Sequence, residues 1–222
     1  MRRMVGILAL LAVGSFAPSG AAAQSLKEPS SGISFEVRRE VLGKPSTCVG
    51  VGLRKVLVVA KVYAAGLYVA DDTGRASFRA LLDANGGNVD AVRGTAKLYS
   101  WLINGDFGKA MEWVFVRDLE KGKMAKTIRE SLEREVGDLN APDIKDAADQ
   151  FLAAVDIPLK KWQRLMVVQR PGWEIVAALD GKQLVKVRNK KIAQAIWRIY
   201  FGSRPVQADL KKNLLAQIGN LQ

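Results

Sequence analysis

The residues best placed to do chemistry lie in one stretch, residues 50–69, GVGLRKVLVVAKVYAAGLYV. Arg54 follows the pair Gly50 and Gly52, and Tyr63 sits further along the same apolar run. A guanidinium holds a carboxylate or phenolate through two parallel hydrogen bonds. A phenol adds one more donor. Burying either group in an apolar strand is costly without a polar partner, so the pattern points to a pocket with one charged end. The plain structural alternatives stay open at this point. Arg54 could pair with an internal acid, and Tyr63 could be a core tyrosine bonded to backbone.

Composition removes many other chemistries. The chain has no histidine and a single cysteine, Cys48. Histidine triads, imidazole acid–base work and transition-metal sites are therefore not expected. Nor is an internal disulfide. Cys48 reads as a small buried residue. Glu112, Asp118 and Asp180 lie near strand ends, but their spacing suggests no glycosidase or protease pair. The Gly50–Gly52 pair lacks the third glycine of a dinucleotide loop, since position 55 is Lys. No cofactor and no metal are expected.

The elements that must position Arg54 and Tyr63 follow from pattern. A Gly pair in a strand context marks a bulge or close backbone approach. The expected course is strand to about Val59, a bend near Lys61, and strand again to Val69. Before it, Ser34–Val41 alternates as a half-buried strand, and Gly43–Ser46 reads as a turn. After it come a helix over Arg75–Asn85, an ambiguous region over 88–110, and a strand over Met111–Asp118. Two helices follow, Glu120–Val136 and one started by Pro142. Met124, Ile128 and Leu132 form an apolar stripe on the first of them. Ile144, Ala147, Phe151 and Leu152 face inward on the second. Arg164–Arg170, Trp173–Leu179 and Leu184–Val187 form a meander, with Asp180-Gly181 as a hairpin turn. Helices Lys191–Phe201 and Val206–Ile218 close the chain. The fold class is α+β, an antiparallel sheet with helices on one face.

The N-terminus reads separately. Arg2 and Arg3 precede an apolar run from Val5 to Phe16, and Ala21-Ala22-Ala23 offers a cleavage site. This is the form of a secretory leader, and the run is short for a membrane span, which needs roughly 20 residues. The expected organisation is a signal peptide over 1–23, a loose arm over 24–32 and one domain over 33–222, periplasmic or secreted, without a further span. The formal net charge is +12. With no long basic run, a nucleic-acid partner is not expected. An anionic ligand or an anionic membrane surface suits the charge better. Lys186, Arg188, Lys190 and Lys191 are the densest basic cluster, read mainly as a solvated edge. Oligomeric state is not legible.

Gly50-Val51-Gly52-Leu53-Arg54, with Lys61-Val62-Tyr63-Ala64-Ala65-Gly66-Leu67-Tyr68, resembles the core signature of the chalcone isomerase-like family, most closely its exported bacterial branch. Phe115-Val116-Arg117-Asp118-Leu119 and the tail Ala195–Gly202 with Pro205-Val206 extend the resemblance over about residues 33–219. It implies an open-faced β-sandwich, a large antiparallel sheet under one helical layer. In the enzymes of this family an arginine holds an oxyanion while hydroxyl and amide side chains order water, ketone and phenol. By that resemblance Arg54 matches the arginine and Tyr63 the threonine. Met124 falls at the tyrosine, Ser131 at the asparagine and Ile199 at the last Ser/Thr. The arginine is kept and most other donors are gone, each a loss of barrier-lowering charge stabilisation. The pattern is similar to that of the family's fatty-acid binders, in which an arginine and a tyrosine grip a carboxylate beside an apolar cleft. The resemblance thus implies a ligand site of Arg54, Tyr63, Met124, Ile128, Ser131 and Ile199. An intramolecular lyase acting on an α,β-unsaturated ketone through Arg54, and an envelope scaffold without ligand, are the alternatives.

Overall fold

The computed structural model describes residues 24–57 and 59–222; the expected leader over 1–23, with cleavage near Ala23, lies outside them. A short ribbon comes first, β1 (Ser25–Lys27) antiparallel to β2 (Ser34–Glu36). Then follow β3 (Arg38–Val41), β4 (Lys44–Val56) and β5 (Ala60–Ala70). Helices α1 (Thr73–Asp83), α2 (Val89–Val92) and α3 (Ala96–Asn104) lead to β6 (Lys109–Phe115). Next are α4 (Lys123–Val136) and α5 (Lys145–Val155), then the meander β7 (Arg164–Arg170), β8 (Glu174–Leu179) and β9 (Lys182–Arg188). The chain ends with α6 (Lys190–Phe201), α7 (Ala208–Asn213) and a 3-10 turn over Ile218–Leu221.

Seven strands, β3 to β9, form one antiparallel sheet in chain order. The main core lies between this sheet and the helices. Tyr63, Ala65, Leu67 and Val69 of β5 face it, as the two-residue strand period requires. The alternate residues Ala64 and Tyr68 face a smaller core under the ribbon, with Phe35 and Cys48. Gly66 makes room there, since a Cβ at that position would stand 2.6 Å from the Phe35 ring. The fold is therefore the expected α+β sandwich, and its second face is partly covered.

Several boundaries differ from the sequence reading, each for a stated reason. Residues 24–32 are no loose arm. They contain β1, and the buried carboxylate of Glu28 accepts from the backbone N–H of Ser31 at 2.6 Å. Ser34–Val41 is two strands, because the backbone bends at Val37, whose carbonyl accepts from Cys48. The turn after β3 is Leu42-Gly43, with φ of 47° and 79°, and Pro45 lies inside β4 opposite Glu40. β4 ends at Val56 and β5 begins at Ala60, so the chain reverses ahead of Lys61. Pro142 precedes α5 by a turn, so Ala148 is fully buried where Ala147 was expected. The ambiguous stretch holds two helices, one capped by Asn88 and the next by Thr95. The last helix stops at Asn213, because Gln217 N–H turns to bond the carbonyl of Val49 at 2.9 Å.

Candidate functional site

Arg54 and Tyr63 are direct partners across β4 and β5. Opposed residues of an antiparallel pair project to the same face, and here that face is the helical one. Over them lies α4, presenting Met124, Thr127, Ile128 and Ser131 at helical spacing. α6 supplies Ile196, Ile199 and Tyr200, and Trp113 of β6 and Phe151 of α5 add walls. Together they enclose a cavity of about 360 Å³, within the usual range of small-molecule sites. All six residues of the expected ligand site line it.

At the centre the Tyr63 and Tyr200 hydroxyls stand 3.2 Å apart, both side chains buried. Burial pushes both phenols above their ordinary range, so each stays a neutral donor at physiological pH. The Trp113 ring packs near both, with ring centres 5.7 and 5.9 Å away. Its indole N–H is buried without a hydrogen-bond partner among the described residues. Tyr200 was not anticipated as a site residue. Its spacing from Ile196 and Ile199 put it on the same helix face, which was the available signal.

Arg54 is half-buried. It donates to the carbonyl of Lys55 and, at 3.5 Å, to Gln207 Oε1, and among the described residues no carboxylate pairs with it. Gln207 is braced in turn by Lys55 N–H at 2.9 Å and by its own bond to the Leu53 carbonyl at 3.1 Å. The guanidinium does not lie at a closed end, contrary to the expected single charged terminus. There the cavity adjoins a shallow pocket carrying Arg134 and Arg204. The exposed lining residues Val56, Leu57, Arg117, Lys123 and Thr127 mark its mouth, between the β4–β5 turn and the start of α4.

Ser131 departs from the role the resemblance implied. Its hydroxyl donates to the Thr127 carbonyl at 2.8 Å and accepts from Arg134 at 3.2 Å, so its polar capacity is largely taken within the helix. Met124, Ile128 and Ile199 offer apolar wall only. The chemistry available on the inner wall is thus the Arg54 guanidinium and two neutral phenols in an apolar enclosure, with Arg117 and Lys123 adding positive charge at the mouth. Among the described residues no group of three His, Cys, Asp or Glu side chains comes together, and no helix is long and apolar enough to cross a membrane.

Comparison with known proteins agrees with this architecture. No curated protein sequence matches the chain. Among solved structures, a fatty-acid binding protein of Arabidopsis thaliana superposes with a TM-score of 0.72 at 18% identity, covering 89% of this chain and 98% of its own. At that identity the likeness is one of fold. The family model described as chalcone isomerase-like matches residues 28–216. The chain therefore belongs to the chalcone isomerase-like family.

Proposed function

We propose that this chain is an exported, non-catalytic binder of a fatty acid or similar apolar anion. The observation that carries the reading is Arg54, a guanidinium without an acidic partner among the described residues, on the wall of an apolar cavity. In this reading Arg54 and the Tyr63–Tyr200 pair hold the head group, and Met124, Ile128 and Ile199 line the chain. Methionine suits a flexible acyl tail because its thioether adapts to irregular shapes. The fold shared with a plant fatty-acid binding protein supports the same ligand class. Export is supported by the leader-like composition of residues 1–23.

Native mass spectrometry of delipidated, refolded protein offered palmitate and a chalcone separates the readings. Palmitate should bind, and Arg54→Ala should weaken it roughly 10- to 100-fold, the worth of a charge-assisted hydrogen-bonded pair. Palmitate that binds Arg54→Ala as well as the parent would sink the assignment of Arg54. Flavanone formed above the uncatalysed rate would favour the lyase reading, in which the phenols face a developing oxyanion. No uptake of either compound would leave the scaffold reading.

A further inference from the structure

The exposed large apolar side chains among the described residues are Val56, Leu57, Val59 and Trp162, at 44%, 86%, 79% and 59% exposure. They gather at one end of the molecule. Val56 ends β4, and Leu57 and Val59 lie between β4 and β5. Trp162 donates its backbone N–H to the carbonyl of Phe115, the last residue of β6, and Phe115 pairs with Tyr63 near the start of β5. The turn and the tryptophan thus project from the same sheet end. Scattered apolar residues on a surface need no explanation, but a cluster of this kind does.

Cations surround this cluster. Lys55 and Lys61 flank the turn, Lys161 lies over the Trp162 ring at 4.8 Å, and Lys121, Lys123 and Arg117 lie on the segment entering α4. Among these, Lys61 donates to the Ser30 carbonyl, Lys123 has an acidic neighbour, Glu120, only at 3.9 Å, and Lys160 next door is bridged to Asp118 at 3.1 Å. By contrast, the basic cluster that composition alone singled out is largely engaged. Lys186 and Arg188 reach Glu174, Lys191 reaches Asp143, and Lys190 covers the Trp173 ring.

We propose that this end of the sheet docks on an anionic lipid bilayer, with Val56, Leu57, Val59 and Trp162 entering the headgroup boundary and the surrounding lysines meeting lipid phosphates. Tryptophan settles at that boundary, since its ring is apolar and its N–H polar. Basic side chains around inserted apolar ones supply the electrostatic half of interfacial binding. The location of the cavity mouth gives the contact a purpose. Leu57, Arg117 and Lys123 belong both to the docking face and to the mouth, so an acyl chain would pass between bilayer and cavity without crossing water. That last step rests on the ligand reading above. The docking itself does not.

Vesicles of equal parts phosphatidylcholine and phosphatidylglycerol, with bromine on the acyl chains, test it on the full chain. Bromine quenches only tryptophan that reaches the acyl boundary, and the difference between the parent and Trp162→Phe isolates the Trp162 signal from any vesicle binding by residues 1–23. That signal should be quenched. Val59→Glu, or replacing the anionic lipid by phosphatidylcholine, should raise the lipid concentration for half-quenching about tenfold or more. Added salt should act in the same direction. Unquenched Trp162, or half-quenching unchanged by Val59→Glu, overturns the proposal. Val59 does not line the cavity, so in vesicle-free solution Val59→Glu should take up palmitate like the parent. If neither takes it up while quenching persists, the ligand reading fails and the docking stands.

Discussion

Tyr63 and Tyr200 satisfy each other inside a cavity whose walls are otherwise mostly apolar. Neither phenol has another partner among the described residues, which makes the pair testable without any ligand. Tyr63→Phe leaves the Tyr200 hydroxyl buried and unpaired, at a cost of about 1–3 kcal/mol. Tyr200→Phe should cost a similar amount for the mirrored reason. The double variant should cost clearly less than the two together, because the second substitution removes the orphan left by the first. Urea unfolding of the four proteins gives the cycle, and strict additivity would mean that the hydroxyls do not bond. Arg54 was legible because a charge inside an apolar run stands out in any sequence. Tyr200 was not, because a tyrosine on an amphipathic helix has the pattern of ordinary core. Ser131 shows the reverse case: its position suggested a ligand donor, and its hydroxyl donates to the Thr127 carbonyl of its own helix.

At the scale of elements, β4 joins the site to the C-terminal segment. A Cβ at Gly50 would collide with the backbone carbonyls of Asn213 and Leu214, atoms that cannot rotate away. At Gly52 the first obstacle is the end of the Leu210 side chain at 2.8 Å, which can give. Gly50→Ala should therefore cost about 3 kcal/mol by overpacking, a fall of roughly 6–12 °C in melting temperature for a domain of this size. Gly52→Ala should cost visibly less. Equal melting of Gly50→Ala and the parent would mean that the segment after α7 does not lie on β4. This contact also explains what the sequence could not tell. Strands and turns with strong local chemistry, such as Asp180-Gly181, β6 and the meander, were readable. The end of the last helix was not, because Val49, more than 160 residues away, captures Gln217. Residues 24–32 likewise looked loose, since β1 is only three residues long and shows no periodicity of its own, although it pairs with β2 across a short turn.

Over the whole molecule, charge is plentiful but little of it titrates near neutrality. The chain has no histidine, the side chain that ordinarily changes charge between pH 5 and 8. Lys109 takes that place. The residue is 2% exposed, and its ammonium donates to the Leu102 and Gly105 carbonyls at the end of α3 and lies over the Phe107 and Trp197 rings. Burial lowers it from 10.5 to about 7, against the opposing pull of Asp106. Between those values the unfolded chain holds the proton more tightly than the folded one. Lys109 therefore adds stability as pH rises from about 7 towards 10.5, by at most about 1.4 kcal/mol per unit, and above about 9 the buried Cys48 thiol, pushed up to about 11, opposes it. Below that window Lys109 is protonated in both states and contributes no slope. Urea unfolding at neutral and at mildly alkaline pH, compared between the parent and Lys109→Met, measures this directly. The methionine variant should lose the rise, and a variant that keeps it would place the titrating group elsewhere.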